Sequence, residues 1–526
     1  MAEAGRRHAV LVGAGILCSR IFGLVRQRVF SHYFGLSDIA DVFSAALRIP
    51  NFLQNLFGEG VLSASFIPVY ARLLAQDKRE EAGRLAGAIA AILALLIAVI
   101  VALGVVATPW LLWLVAPGYV GEKRELTILI VRILFPGTGI LVWSAWCLGI
   151  LNSHHKFFLS YVAPVVWNLS MIATLLIFRN LPGERLIVYL AWGTVLGCLL
   201  QFLVQLPSVL KLVPGMPLRF DWRNVHVRQV GGSFMSVAVG RGVVQISAFV
   251  DQAISTLLGS GAMAAITTAS SINMLPISLF GMAVSAAELP TLSRMAGHGL
   301  LDEATTAKLS VRLNDGLERI AFFIVPSSMA FFALGNVIVA ALYQSGKFTS
   351  RDSWYVWAIL AGSGVGLLAS TFGRLYSSTY YAMRDTRTPL RFALVRLLVT
   401  AVLGLASALL LPAMLGLPAQ WGVVGLTASA GVAGWIDFHL LRSKLNRLLG
   451  PTGVSIRMMF KLWSAACLAA VAACAVEYLV PSHGPILTAV YVLGIYGVVY
   501  FAATWLLRIR ECVELLGKLS RRLGVG

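Results

Sequence analysis

The sequence predicts an all-α polytopic membrane protein. About fourteen transmembrane helices are expected, in two six-helix lobes related by a parallel pseudo-repeat around a central cavity, with two further C-terminal helices. Three observations carry this. Of 526 residues, 58% are hydrophobic and only 12% charged, against roughly 25% charged in soluble domains. Apolar runs long enough to cross about 30 Å of hydrocarbon at 1.5 Å per residue recur along the whole chain. Basic residues gather in alternate connections between these runs.

The first span, 9–34, follows "GRRHAVLVGAGILCS", which imitates a signal peptide, but its apolar character continues past Arg20 with no small-residue cleavage site. It is therefore taken as a helix. The second, 38–57, carries Pro50 and is followed by Gly58 and Gly60, which can kink or break it. Spans 84–112, 127–151, 158–178 and 186–208 complete an N-terminal lobe, 1–208. The connection 209–230, "VLKLVPGMPLRFDWRNVHVRQV", is rich in proline and basic residues and reads as a cytoplasmic amphipathic linker lying on the membrane surface. Spans 231–257, 262–292, 314–343, 354–383, 388–411 and 421–442 form a second lobe, 231–442. Spans 455–479 and 486–508 fall in the remaining segment, 443–526, with a basic tail.

The connections at 72–84, 152–157, 209–230, 293–312, 384–391 and 442–461, with the two termini, hold 27 Lys and Arg; those at 115–126, 179–185 and 344–353 hold 6. The positive-inside rule then puts both termini in the cytoplasm, as an even number of spans requires. The net charge of +19 follows the membrane topology and gives no reason to expect nucleic acid.

Residues 63–72, "SASFIPVYAR", match 285–294, "SAAELPTLSR", at an offset of 222, and "SR" at 19–20 is echoed by "GR" at 240–241. An even number of spans per unit makes this a parallel repeat, and transporters built so place their substrate between the halves. Chance similarity among Ala/Ser-rich helices is the alternative. Six scattered cysteines without ligand spacing suggest neither disulfides nor a zinc site. No GxxxxGK[ST], HExxH or GxSxG occurs, so neither an ATPase motor nor hydrolytic chemistry is expected.

Charges inside the spans are costly and mark function. Arg20 and Arg26 lie six residues apart, about 9 Å along one helix, and both can reach one wide cavity. A guanidinium keeps its charge and suits phosphate or carboxylate, so an anionic substrate is one reading. Internal pairing with Asp41 or Glu59 is the other. Asp41, Arg48 and Glu59 beside the kink mark a gate or site, and Arg241 is the deep charge of the seventh span. Asp251 is a candidate for a coupling cation, with a salt bridge as its alternative. Asp385 in "YYAMRDTRTPLR" is expected to cap the following helix, with cation binding as a second reading.

Several stretches together resemble the MurJ (MviN) family of lipid II flippases, in the multidrug/oligosaccharidyl-lipid/polysaccharide exporter superfamily. They are "SRIFGLVRQRVF" (19–30), "ADVFSAALRIPNFLQNLFGEGVLSASFIPVYA" (40–71), "GILNSHHKFFLSYVAPVVWN" (149–168), "LYQSGKFTSRDS" (342–353), "TYYAMRDTRTPLR" (379–391) and "WGVVGLTASAGVAGW" (421–435). The resemblance implies a transporter and not an enzyme, in the bacterial inner membrane. It would move undecaprenyl-pyrophosphate-linked disaccharide-pentapeptide to the outer leaflet for peptidoglycan synthesis, alongside cell-wall synthesis proteins. It carries the family's substrate arginines onto Arg20 and Arg26, its second-helix charges onto Asp41, Arg48 and Glu59, a sodium-linked aspartate onto Asp251, and a lipid-tail groove onto the last two helices. No resident cofactor is implied, only a coupling cation, sodium or proton, or the membrane potential. Gln54, Asn55 and Ser271 stand where many members carry arginine, and Arg241 is a candidate replacement. These departures leave room for another polyprenyl-linked glycan, or for cation-coupled export of the same superfamily.

Overall fold

A computed structural model describes residues 2–296, 303–480 and 484–523. Its elements are helical; among the described residues the nearest approach to a sheet is an isolated bridge between Ser345 and Phe348. By contact the chain divides into two compact units. One comprises Met1–Ala264 with Ser345–Phe348, the other Ala265–Gln344 with Thr349–Gly526.

The first unit contains α1 (Ala2–Phe34), α2 (Asp38–Ala46), α3 (Arg48–Phe57), α4 (Glu59–Ala75), α5 (Arg79–Val115), α6 (Gly121–Ser153), α7 (Phe157–Ile177), α8 (Gly183–Leu212) and α9 (Val225–Thr256). Pairs α1 with α7, α6 with α8, and α7 with α8 form its frame. Two apolar cores fill it. One gathers Phe66, Tyr70, Leu85 and Trp146. The other gathers Phe30, Phe34, Phe43 and Phe135. The second span, 38–57, is two helices, α2 and α3, not one kinked rod, and α4 follows directly after Gly58. A proline at 50 has no N–H for the Ala46 carbonyl, and α2 stops at Ala46. As the third residue of α3, the same proline sits where its N–H would be unused anyway.

The second unit holds the rest of α10 (Ala262–Pro276), a π-helical turn (Ile277–Met282), α11 (Ala283–Ala296), α12 (Glu303–Ala333), α13 (Gly335–Tyr343), α14 (Ser350–Ala382), α15 (Arg387–Leu415), α16 (Gly422–Leu449), α17 (Ile456–Leu479), α18 (Pro485–Leu506) and α19 (Arg510–Leu523). The α14–α16 pair packs through Gly366 and Gly431, where a Cβ on either would collide with the facing backbone. Thr349 and Asp352 form a reciprocal capping box that starts α14. Tyr496 and Tyr500 of α18 donate to the Pro326 and Phe322 carbonyls of α12, each at 2.7 Å.

The units echo each other internally. Helices α6 and α14 are both 33 residues long. The break at Gly58, shifted by the repeat offset, falls inside the π-helical turn. Eleven helices among the described residues are long and apolar enough to cross a membrane. The other three expected spans coincide with α1, the pair α2 and α3, and α9. This is a multi-pass membrane protein. Exposed residues along the C-terminal half of α5, including Leu103, Val106, Trp110 and Trp113, are apolar, as contact with hydrocarbon demands.

Two expected segments look different. The 209–230 linker is not an element of its own, because α8 runs to Leu212, α9 begins at Val225, and Pro214, Gly215 and Pro217 hold the stretch between them out of helix. By contact α9 neighbours α3, α4 and α5. The lobes expected at 1–208 and 231–442 follow the sequence repeat, whereas the units follow contacts: the first takes in α9 and Ser345–Phe348, and the second the segment 443–526.

Candidate functional site

Arg20 is exposed on α1, with no carboxylate within ion-pair distance among the described residues. Two turns on, the guanidinium of Arg26 lies over the Trp167 ring of α7, its carbon 5.3 Å from the ring centroid. The indole face attracts the cation. Arg28 is half-buried on the same helix.

Asp41 does not pair with these arginines. Its fully buried carboxylate accepts from Lys123 Nζ at 2.8 Å and Gly261 N at 2.8 Å through Oδ2, and from Ala264 N at 2.8 Å through Oδ1. Lys123 also donates to Asp38 Oδ1 at 2.6 Å and lies 4.4 Å from the centroid of the Tyr119 ring. The carboxylate thus caps the start of α10 and neutralises a lysine of the opposite sign. Local sequence explains the placement: Gly35, at φ +57°, ends α1, and the Ser37 side chain accepts from Ala40 N at 3.3 Å to start α2. Asp41 then falls on the first turn of α2. Around it the connections of this face are stitched together. Gly118 N donates to Thr256 Oγ1 at 3.3 Å, and Lys347 N to the His32 carbonyl at 2.9 Å. At Gly261, with φ +80°, a Cβ would lie 2.7 Å from the Leu36 carbonyl oxygen.

Arg48 opens α3, half-buried and with no ion-pair partner among the described residues. Glu59 starts α4 and Arg241 lies along α9, but the side chains of both fall outside the described residues. Asp251 is half-buried on α9, two residues beyond Phe249, whose ring packs edge-on against Phe52 of α3 at 4.9 Å. Among the described residues no group of three or more His, Cys, Asp or Glu side chains could hold a metal ion, so Asp251 stands outside any such cluster. Asp385 acts as a cap. Its Oδ1 accepts from Arg387 N and Thr388 N at 3.1 and 3.0 Å, and its Oδ2 from Thr388 Oγ1 at 2.6 Å. Ser271 shares a 2.8 Å hydrogen bond with Tyr343.

Sequence reasoning missed Lys123, Gly261 and Ala264. Lys123 reads as one of the few basic residues on the sparsely charged face, and nothing in its spacing links it to Asp41, 82 positions earlier.

Residues 30–499 match the model of the family described as Lipid II flippase MurJ. The "Probable lipid II flippase MurJ" of Rhizobium tropici is 30% identical over 433 residues, 81% of this chain and 78% of the relative. The "Lipid II flippase MurJ" of Burkholderia cenocepacia is 30% identical over 88% of each chain. Among solved structures, "Lipid II flippase MurJ, inward closed conformation" superposes with a TM-score of 0.76 at 24% identity, covering 95% of this chain and 98% of the other. An inward-facing multidrug resistance MATE family transporter of the MOP superfamily gives 0.65 at 20% identity, over 82% of this chain and 95% of that one. Both share the fold.

Proposed function

This chain belongs to the lipid II flippase MurJ family, and from that premise we propose that it moves lipid II from the cytoplasmic to the outer leaflet of the bacterial inner membrane by alternating access. Both termini lie in the cytoplasm on this reading. The chain acts as a transporter without enzymatic chemistry, in the service of cell-wall synthesis and beside its enzymes.

One observation supports the substrate role of the α1 arginines most directly. Asp41, the carboxylate best placed in sequence to neutralise them, already accepts three hydrogen bonds from Lys123, Gly261 and Ala264. Arg20 keeps its charge uncompensated by any described carboxylate. A diphosphate headgroup is too polar to enter hydrocarbon alone, and charge-assisted hydrogen bonds from Arg20 and Arg26 replace its hydration. Arg48, Arg241 and Glu59 are proposed to complete the substrate site, with Glu59 at the break between α3 and α4. The inside-negative potential favours outward movement, by about 2.3 kcal/mol per negative charge per 100 mV. Asp251 is the proposed ligand of a coupling sodium ion or proton.

The same bonds give Asp41 a second task. While Lys123 and the start of α10 hold it, the face carrying few basic residues is closed within the first unit, and release on that side requires this cluster to part.

Complementation tests the reading. Expression in a strain depleted of its own lipid II flippase should sustain growth, and lysis despite normal membrane levels of the protein would reject it. For Asp251, sodium should change transport by the wild type and not by Asp251→Asn; an equal response in both removes the residue from the coupling site.

A further inference from the structure

The first unit carries a polar cavity that the transport reading does not use. It encloses about 740 Å³ where three basic connections meet, after α4, after α6 and after α8. None of its lining residues lies on α1, α3 or α9. Arg79 and Arg84 enter it from the first two turns of α5, Lys211 from the end of α8, and His154 and His155 from the turn after α6; Glu80 is the one carboxylate in its lining.

Three fixed cations against one carboxylate leave the lining positive. Arg84 holds Glu80 at 2.6 Å and Arg79 holds Asp77 at 3.2 Å, but these side chains are 61–86% exposed, and pairs so solvated exchange readily for a better anion. Each guanidinium has further N–H donors to offer. Lys211 has no carboxylate within ion-pair distance among the described residues. Nearby, Glu81 is shared by Lys78 at 3.6 Å and His226 at 3.5 Å, so it does not offset the lining.

Two features point inward. The N-cap of α5, Lys78, makes no side-chain cap, so the first-turn N–H groups remain available to an anion. The imidazole of His154, 3.1 Å from the Tyr70 hydroxyl, is held below its ordinary pKa by burial and by the positive charge of Arg79 and His155. Burial is the larger cause, and the smaller one, the charge of Arg79 and His155, agrees with the positive lining.

We propose that this cavity is a second anion site, shaped for a phosphate-class polyanion such as a diphosphate, on the face that the charge count assigns to the cytoplasm. The volume and the cations on two walls, at the start of α5 and the end of α8, favour a diphosphate over a single carboxylate, which would meet one wall and leave most of the space to water. Such a group can come from a lipid headgroup in the adjoining leaflet or from a soluble phosphate ester.

Titrating inorganic pyrophosphate into the full-length protein, held in zwitterionic nanodiscs and followed by calorimetry, tests this. Saturable binding is expected. Lys211→Ala should weaken it about tenfold or more, the loss of one charge-assisted contact, and Lys211→Arg should restore it. Arg84→Gln, at an exposed side chain that the fold does not need, should weaken it similarly and serves if Lys211→Ala misfolds. Because pyrophosphate can also engage the α1 arginines, the titrations are run in the Arg20→Ala background, so that the component lost with the cavity substitutions belongs to the cavity. Weaker pyrophosphate binding in discs containing phosphatidylglycerol supports the site with a headgroup as its occupant; unchanged affinity supports it with a soluble one. No binding, or binding that survives both cavity substitutions, overturns the proposal.

Discussion

Asp41 shows how a single buried carboxylate can look like one thing in sequence and be another in space. Read along the chain, it is the nearest counter-ion for Arg20 and Arg26; folded, it is consumed by Lys123 and two backbone N–H groups. Removing the lysine alone leaves a charge buried and half-paired. Lys123→Met should therefore lower stability by about 3–5 kcal/mol, and adding Asp41→Asn should recover part of the loss. Thermal unfolding of the purified variants reads both. For the α1 arginines, Arg20→Ala and Arg26→Ala should each abolish complementation at normal membrane levels, since each removes charge-assisted hydrogen bonds worth about 1.5–3 kcal/mol apiece. Arg26→Lys should retain part of the function, because an ammonium can sit over Trp167 but lacks the fork. Adding Asp41→Asn to Arg20→Ala should not restore activity; growth of that double variant would show that the arginine serves only to neutralise the carboxylate. The arginines were legible because charge in an apolar run stands out. Their surroundings were not, since Trp167 is 141 positions from Arg26 and no local pattern joins them.

Among the elements, the helix ends repeat one device. After α4, α6, α14 and α18 the chain turns with a 6→1 and a 5→2 backbone hydrogen bond, as in Lys78 N to Leu73 O and Asp77 N to Leu74 O. The residue in the left-handed position is not glycine in any of the four: Asp77, His155, Arg384 and Arg508 have φ between +52° and +62°. Left-handed backbone costs an L-residue roughly 1–2 kcal/mol, which glycine avoids at some cost in unfolded-state entropy. Arg508→Gly should thus raise the melting temperature by an amount worth up to about 1 kcal/mol, and Arg508→Val should lower it. All four ends lie on the side rich in basic residues, so a charged residue there is kept against its backbone preference. The spans themselves were readable from apolar length. The division of the second span into α2 and α3, with α4 beyond it, was only partly so, because Pro50 and Gly58 announce a break but the carbonyl that proline fails to satisfy lies one turn earlier, at Ala46.

For the whole molecule, the charge count makes a topological claim that accessibility can test. With Cys18, Cys467 and Cys474, the exposed native thiols, first replaced, single cysteines placed in 209–230 and 442–461 should react only from the cytoplasm, and those in 344–353 only from outside. Reversal at two of these segments would invert the assignment. The compact units also carry an implication for the order of events during synthesis. The first unit owns the short strip Ser345–Phe348, where Lys347 N meets the His32 carbonyl, although the rest of that unit ends at Ala264. Another 84 residues must therefore leave the ribosome before the first unit has all its parts. At about 5–20 residues per second that is roughly 4–17 s, during which α1 to α9 sit in the bilayer with the His32 carbonyl lacking its donor. Assembly of this half thus waits on translation of the other, and a chain truncated between 264 and 345 would be left permanently at that stage.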